Sequence, residues 1–419
     1  MKKLMNNDYI FSVLAKGFGV LLGIVMSVIL ARYLGDELKG VHAVIENNVQ
    51  LYSVFLGLGI YQAYPFFRKK EDNLYPHFIN HITTQFLLYL VIGSLVAIYV
   101  GRYTSNLYLA ISIAFMPLAV YIKQLNYIVL IECPRRRNVG SIIISCSEII
   151  ILAIMWLVYK ASFASIIIYY GSAQIFNLII SFANLKINPF SIRIEFKRFF
   201  EFAKFGFVPM LVLLCMTINY KIDIAMLKAF DNVELASIGV YSIGVGLADK
   251  IWLIPDAMKD ILLSKLVKGK KEEEVARVLR LNLAICIFSI LGLLILGKPA
   301  IKILYGLQYT DSYYVMLLMM IGVVGMIFYK MVYSYNISQG KRIINLIFLG
   351  IAAVVNVIGN YFAIPLYGIW GAAIVSIVSY NICGICFLVY FHKKSGIPYK
   401  QLIFMQKSDL VMLKRMMKK

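Results

Sequence analysis

Twelve apolar stretches of bilayer-spanning length, joined by short polar loops, constrain this chain more than any other feature. They fall at about 11–31, 41–64, 79–100, 107–131, 141–159, 164–185, 205–229, 237–262, 279–297, 312–337, 344–364 and 369–391. A hydrocarbon core about 30 Å thick takes roughly 20 apolar residues per helix. Inside lipid, a segment must satisfy its own backbone hydrogen bonds, which favours helices. The pattern therefore predicts an all-α integral membrane protein with 12 transmembrane helices. Its loops leave no room for a soluble catalytic domain. Composition agrees: 61% of residues are hydrophobic, against about 45–50% apolar in soluble domains. The six cysteines are scattered, mostly in apolar runs, and suggest no disulfide framework. The first apolar run lacks a small-x-small cleavage pattern and reads as a retained helix rather than a signal peptide.

The formal net charge is +21. In a soluble chain that would point to nucleic acid, but here its placement argues for topology. With an inward N-terminus, the outward loops hold only Arg32, Lys39, Arg102, Lys160, Lys228, Lys298 and Lys302. Most remaining Lys and Arg lie in the alternate segments, so both termini are predicted to be cytoplasmic. A basic inner face also suits anionic membrane lipids as partners, and no nucleic acid is expected. Two inner stretches, "FSIRIEFKRFFEFAKF" and "QLIFMQKSDLVMLKRMMKK", have the pattern of helices lying at the interface.

The halves of the chain echo each other. "ELKGVHAV" at 37–44 recurs as "ELASIGVYSI" at 234–243, each between an odd-numbered and an even-numbered span. Six spans per half, both starting inside, predict two parallel six-helix bundles of an alternating-access carrier. The expected divisions are an N-terminal bundle at 1–185, a cytoplasmic interfacial linker at 186–204, a C-terminal bundle at 205–391 and a basic tail at 392–419.

Charges inside the spans carry the functional signal. Lys16, Lys123, Lys221, Lys250 and Lys330 lie at different depths. Each is costly against lipid, which places them toward a wet cavity, and such a row suits an anionic cargo. For Lys16, Lys123 and Lys330, near the inner boundary, snorkelling or pairing with a buried acid is an equal alternative. Lys250 is too central to snorkel easily. In span two, Glu46, Asn47, Gln50 and Ser53 can share a helix face. That face can hydrogen-bond sugar hydroxyls, or it can pack against another helix through its amides. Lys221 and Asp223, two residues apart, cannot neutralise each other and must find separate partners. Asp223 can carry a proton or bridge to a lysine such as Lys16. No phosphate-binding glycine loop, nucleophile elbow or metal-ligand set is evident, so neither an enzyme nor a cofactor is expected.

Four motifs bear a family resemblance. "ILARYLGDELKGVHAV", "NYKIDIAMLKAFDNVELASIGVYSI", "ILYGLQYTDS" and "NVIGNYFAIPLYGIWGAAIVSIVSY" resemble elements of bacterial polysaccharide flippases of the MOP superfamily. The resemblance implies a MATE-like two-bundle fold in the bacterial inner membrane. It implies transfer of undecaprenyl-pyrophosphate-linked oligosaccharide units between leaflets for O-antigen or capsule synthesis, beside other polysaccharide-assembly membrane proteins. It also implies a coupling cation, Na+ or H+, at Asp223 with Asn356 and Asn360. Two rivals remain open. One is a MATE-like drug or metabolite antiporter, for which an acidic, aromatic cavity would speak. The other is a membrane enzyme of the same pathway, for which a catalytic cluster at the outer face would speak.

Overall fold

A computed structural model describes residues 8–68, 70–71, 74–104, 106–185, 196–267, 272–407 and 409. The described chain is helical and has no strand. The helices are α1 (Asp8–Leu56), α2 (Ile60–Arg68), α3 (Leu74–Tyr103), α4 (Leu107–Glu132), α5 (Pro134–Val158) and α6 (Phe163–Ala183). There follow α7 (Phe196–Ala229), α8 (Leu235–Ile251), α9 (Leu253–Val267), α10 (Glu272–Leu304), α11 (Ser312–Ser338), α12 (Arg342–Ser395) and α13 (Tyr399–Ile403).

Two of these are too long for one crossing. At 1.5 Å per residue, α12 would extend roughly 80 Å, well over twice the hydrocarbon core. It leaves helical geometry at Gly368, where φ is +53°, a region glycine enters without a Cβ penalty. Its halves then run antiparallel: the Ser379 hydroxyl donates to the Ala352 carbonyl at 2.9 Å. Gly359 faces Val375 so closely that an added Cβ would lie 2.7 Å from a Val375 methyl. Spans eleven and twelve are therefore the two arms of α12. In the same way, spans one and two share α1, which leaves helical geometry at Gly35.

Spans two and eight differ from the sequence expectation of continuous helices. Span two ends as a helix at Leu56, turns through Gly57, Leu58 and Gly59, and resumes as α2. Span eight stops at Ile251, turns at Trp252 and resumes as α9. Pro255 lies in the first turn of α9, where its missing N–H costs nothing, and not inside one continuous span. The all-helical expectation holds among the described residues, with the eighth span built from two short helices.

The chain divides into two compact units. One comprises Met1–Thr217 with Glu234–Gly239, the other Ile218–Val233 with Val240–Lys419. In the first, the echoed motifs touch backbone to backbone. A Cβ on Gly40 would come 1.9 Å from the Leu235 oxygen, and one on Gly239 would come 2.1 Å from the Asp36 oxygen. Lys39, read from sequence as an outward-loop charge, lies within α1 and is only 7% exposed. In the second unit, the tail returns to α10. Arg280 clamps the buried Asp409 carboxylate through Nε at 2.6 Å and Nη2 at 2.9 Å, and it donates through Nη1 to the Gln401 carbonyl. This guanidinium holds the Asp409 carboxyl below the usual carboxylate range. Residues 186–195, most of the interfacial linker, and most of the basic tail beyond 407 lie outside the described residues.

Candidate functional site

Interrupting a membrane helix frees backbone carbonyls that lipid cannot satisfy. Each break in this chain therefore needs partners, and the partners differ. In the first unit, the Leu56 carbonyl accepts from Gln85 Nε2 at 3.1 Å and from the Tyr89 hydroxyl at 2.9 Å, both on α3. Gln85 is held in turn by Gln124 Nε2 of α4 at 2.9 Å. Leu58 takes φ of +50°, a left-handed conformation that costs a non-glycine residue. Gly59, at φ +64°, has no room for a side chain: a Cβ there would lie 2.2 Å from the Gly206 oxygen of α7.

In the second unit, the Trp252 carbonyl accepts from the Asp256 amide at 3.0 Å, which starts α9, and in addition from Lys330 Nζ of α11 at 3.4 Å. The same ammonium forms an ion pair with Asp256 of α9 at 2.9 Å and sits 5.1 Å above the Trp252 ring. Asp256 also lies 3.5 Å from Lys259. Just before the break, Asp249 pairs with Lys221 of α7 at 4.0 Å. Asp249 is within electrostatic reach of Lys221, Lys250 and Lys330 together. Lys330 is 5% exposed, whereas Asp256 and Asp249 are partly open. Tyr220, Trp252 and Tyr380 pack ring against ring, with centroids 4.8 to 5.8 Å apart. Their polar atoms, Trp252 Nε1 and the hydroxyls of Tyr220 and Tyr380, are buried without hydrogen-bond partners. Four lysines and three unused donors thus surround a helix break that holds two carboxylates.

The five lysines read from sequence are not equivalent. Lys221, Lys250 and Lys330 belong to this second-unit cluster. Lys221 and Lys330 are ion-paired, as the pairing alternative for Lys330 allowed. Lys250 is half-buried in the last turn of α8 and makes no direct ion pair among the described residues. Lys123 is in the first unit, half-buried on α4, also without a carboxylate partner among the described residues. The backbone of Lys16 is helical, but its side chain lies outside the described residues.

Asp223 and its companions form a separate polar core in the second unit. Asp223 is 1% exposed. Its oxygens accept from the Tyr241 hydroxyl and from the Ile224 amide. One turn earlier on α7, the Asn219 carbonyl accepts from Asn356 Nδ2, and Asn360 Nδ2 donates to Asn356 Oδ1 at 2.8 Å. The Ser379 hydroxyl shares its proton between the Ala352 carbonyl and Asn219 Oδ1, tying in the second arm of α12. Asn360 Oδ1 is a buried oxygen without a partner. Carboxylate and amide oxygens are hard donors of the kind a small hard cation takes.

The polar side of span two splits. Glu46 and Gln50 face the open side and are hydrogen-bonded to each other at 3.2 Å. Asn47 turns inward at 3% exposure, with neither side-chain polar atom partnered. The buried His42 reaches Glu46 at 3.7 Å and lies against Tyr169 and Tyr170. Among the described residues, no group of three acidic, His or Cys side chains is placed to hold a metal.

Sequence reasoning missed Trp252, Tyr241, Ser379, Gln85 and Tyr89. For Trp252 a signal existed: Pro255 three residues on marks a helix start as well as it marks a kink. The others are ordinary residues of apolar helices, and only folding shows what they touch.

No family model matches the chain, and no curated protein matches it in sequence. Solved structures do. A lipid II flippase, MurJ, in an inward closed conformation superposes with a TM-score of 0.75 at 19% identity, covering 98% of this chain and 92% of that one. The fold is that of the MOP-superfamily transporters. An inward-facing multidrug resistance MATE family transporter of that superfamily gives 0.67 at 12% identity, over 90% and 94% of the two chains. A superfamily transporter from Pyrococcus furiosus, described by the reversed polarity of its binding pocket, gives 0.62 at 12% identity, over 94% and 96%. The likeness spans both halves of the MOP-fold chain and fixes its architecture.

Proposed function

We propose that this multi-pass membrane protein is a flippase for an anionic lipid-linked oligosaccharide, moving it between leaflets by alternating access. The observation that carries this reading is the lysine cluster at the break of span eight. Lys221, Lys250, Lys259 and Lys330, with the unpartnered donors of Trp252, Tyr220 and Tyr380, form a site rich in donors and, among the described side chains, net positive. Lysine binds phosphate as a compact charge with three donors. A diphosphate head group fits this set better than the organic cation expected of a drug exporter. The comparison with a lipid II flippase agrees in kind. The finer reading is an undecaprenyl-pyrophosphate-linked repeat unit for O-antigen or capsule assembly, carried in a bacterial inner membrane beside other assembly proteins. Lys16 and Lys123 would extend the cationic path, and Glu46, Asn47 and Gln50 would meet the glycan. No covalent step is needed.

Asp223, Asn356 and Asn360 are the proposed coupling-ion site. Their oxygens would hold Na+, or Asp223 would carry a proton, as intramembrane acids do in transporters. The 1–185, 186–204, 205–391 and 392–419 divisions are retained as the proposed functional parts.

The test is translocation of a pyrophosphate-linked glycolipid in liposomes. Lys250→Ala and Lys221→Ala should each slow it by at least about tenfold, the scale of a residue carrying a main binding contact. Unchanged transport in both variants would remove the cationic site from the mechanism.

A further inference from the structure

The lysines of the second-unit site do not wait unpaired. Lys330 is held by Asp256 at 2.9 Å and Lys221 by Asp249 at 4.0 Å, one pair on each side of the Trp252 break. A lysine left without a counter-charge at membrane depth is costly. Partial exposure of both carboxylates gives them somewhere else to go: their side chains are 43% and 32% exposed, against 6% for Lys330. Asp256 already has a second cation within reach, Lys259 at 3.5 Å. It can let go of Lys330 without losing every partner.

We propose that Asp249 and Asp256 are internal competitors for the cargo's diphosphate. They hold Lys221 and Lys330 before cargo arrives, are displaced by the two phosphoryl groups, and retake the lysines to drive release. This rests on the reading of the cluster as a diphosphate site. The exchange is matched in charge. A diphosphate diester carries two negative charges at neutral pH, one on each phosphoryl group, and two carboxylates step aside. A monophosphate diester has a single charge and can replace only one of them. The pairing therefore also sets specificity for diphosphate over monophosphate esters. Trp252 Nε1 and the hydroxyls of Tyr220 and Tyr380 lie beside the exchange as donors with no acceptor of their own. They add hydrogen bonds that the carboxylates do not already use. The device also explains why a cation site contains acids at all. Without them the lysines would bind a diphosphate and keep it.

The test measures binding of inorganic pyrophosphate and, in a second arm, orthophosphate to the full-length protein in detergent by calorimetry. Asp256→Asn and Asp249→Asn should each tighten pyrophosphate binding by about fivefold or more, the usual range for coupled sites. Orthophosphate should gain less. In liposomes both variants should translocate the glycolipid more slowly, because release is impaired. Asp249→Asn guards against misfolding, since its ion pair is the longer and more open of the two. For Asp256→Asn, a pyrophosphate-induced rise in Tm larger than in wild type is the second readout. Suppose wild type binds pyrophosphate and Lys330→Met weakens it, yet neither Asn variant tightens it. The internal competitor is then wrong and the site stands. If wild type shows no pyrophosphate binding, the diphosphate reading and this inference fall together.

Discussion

The two broken helices repeat one device with different chemistry. In the first unit, the chain breaks at Gly57–Gly59 and the freed Leu56 carbonyl is met by neutral groups, Gln85 and Tyr89. In the second, it breaks at Trp252, whose carbonyl already takes the Asp256 amide at the start of α9; Lys330 adds a charged contact there, and its charge is answered by Asp256. A neutral cap completes a helix end and does little else. A charged cap gives the break a field, exposes groups that titrate or exchange, and can take a ligand. Discontinuous helices at corresponding places in two repeats commonly mark transport sites. Under the proposed function, the difference between them places the cargo head group at the second break and leaves a structural turn at the first.

The largest expected effect comes from the neutral break. Gly59→Val combines a left-handed backbone with a Cβ 2.2 Å from the Gly206 oxygen. It should cost about 3 kcal/mol or more, enough to lose monodisperse protein in fluorescence-detected size exclusion. Recovery of stable protein would show that this turn is pliable. Next, Lys330→Met should reduce glycolipid translocation at least about tenfold while the protein remains folded, because Asp256 keeps Lys259. Gln85→Leu sharpens the contrast. It should lower thermal stability by about 1–3 kcal/mol through the weakened carbonyl cap, yet leave pyrophosphate affinity unchanged. If Gln85→Leu altered affinity and Lys330→Met did not, the assignment of roles would be reversed.

Smaller effects lie away from both breaks. Asn360→Ala removes the donor to Asn356 and should cost about 1 kcal/mol, with loss of any Na+ or proton dependence of transport as the functional readout. Smallest is the tail clamp. The Asp409 carboxyl is held low by Arg280, so its contribution is present at neutral pH and is lost only as pH falls through that lowered value. Limited proteolysis should show the tail protected from pH 5 to 8 and released in more acid solution. Asp409→Asn should release it at every pH.

Much of this architecture is written in hydropathy. Twelve apolar runs give twelve crossings because a bilayer accepts few alternatives. The echoed Glu-Leu and Gly-Val motifs were legible, and the structure adds that Gly40 and Gly239 bring two backbones into contact. The helix breaks were harder. Leu58 and Trp252 are apolar, so hydropathy runs through them, and only Gly57, Gly59 and Pro255 hint at a stop. Lys221 and Asp223 were legible as residues needing separate partners. Which partners, Asp249 and Tyr241, depends on helix rotation that a single sequence does not carry. The same holds for Asn47, whose inward turn separates it from Glu46 and Gln50.

The central claim is that the cargo is recognised through its diphosphate at the Trp252 break. The most direct measurement compares, in the same liposomes, translocation of one oligosaccharide joined to a polyprenyl chain through a diphosphate and through a neutral glycosidic link. The account predicts that only the diphosphate-linked form moves and that inorganic pyrophosphate competes with it. Equal movement of both forms, or transport of a lipophilic organic cation in their place, would contradict it.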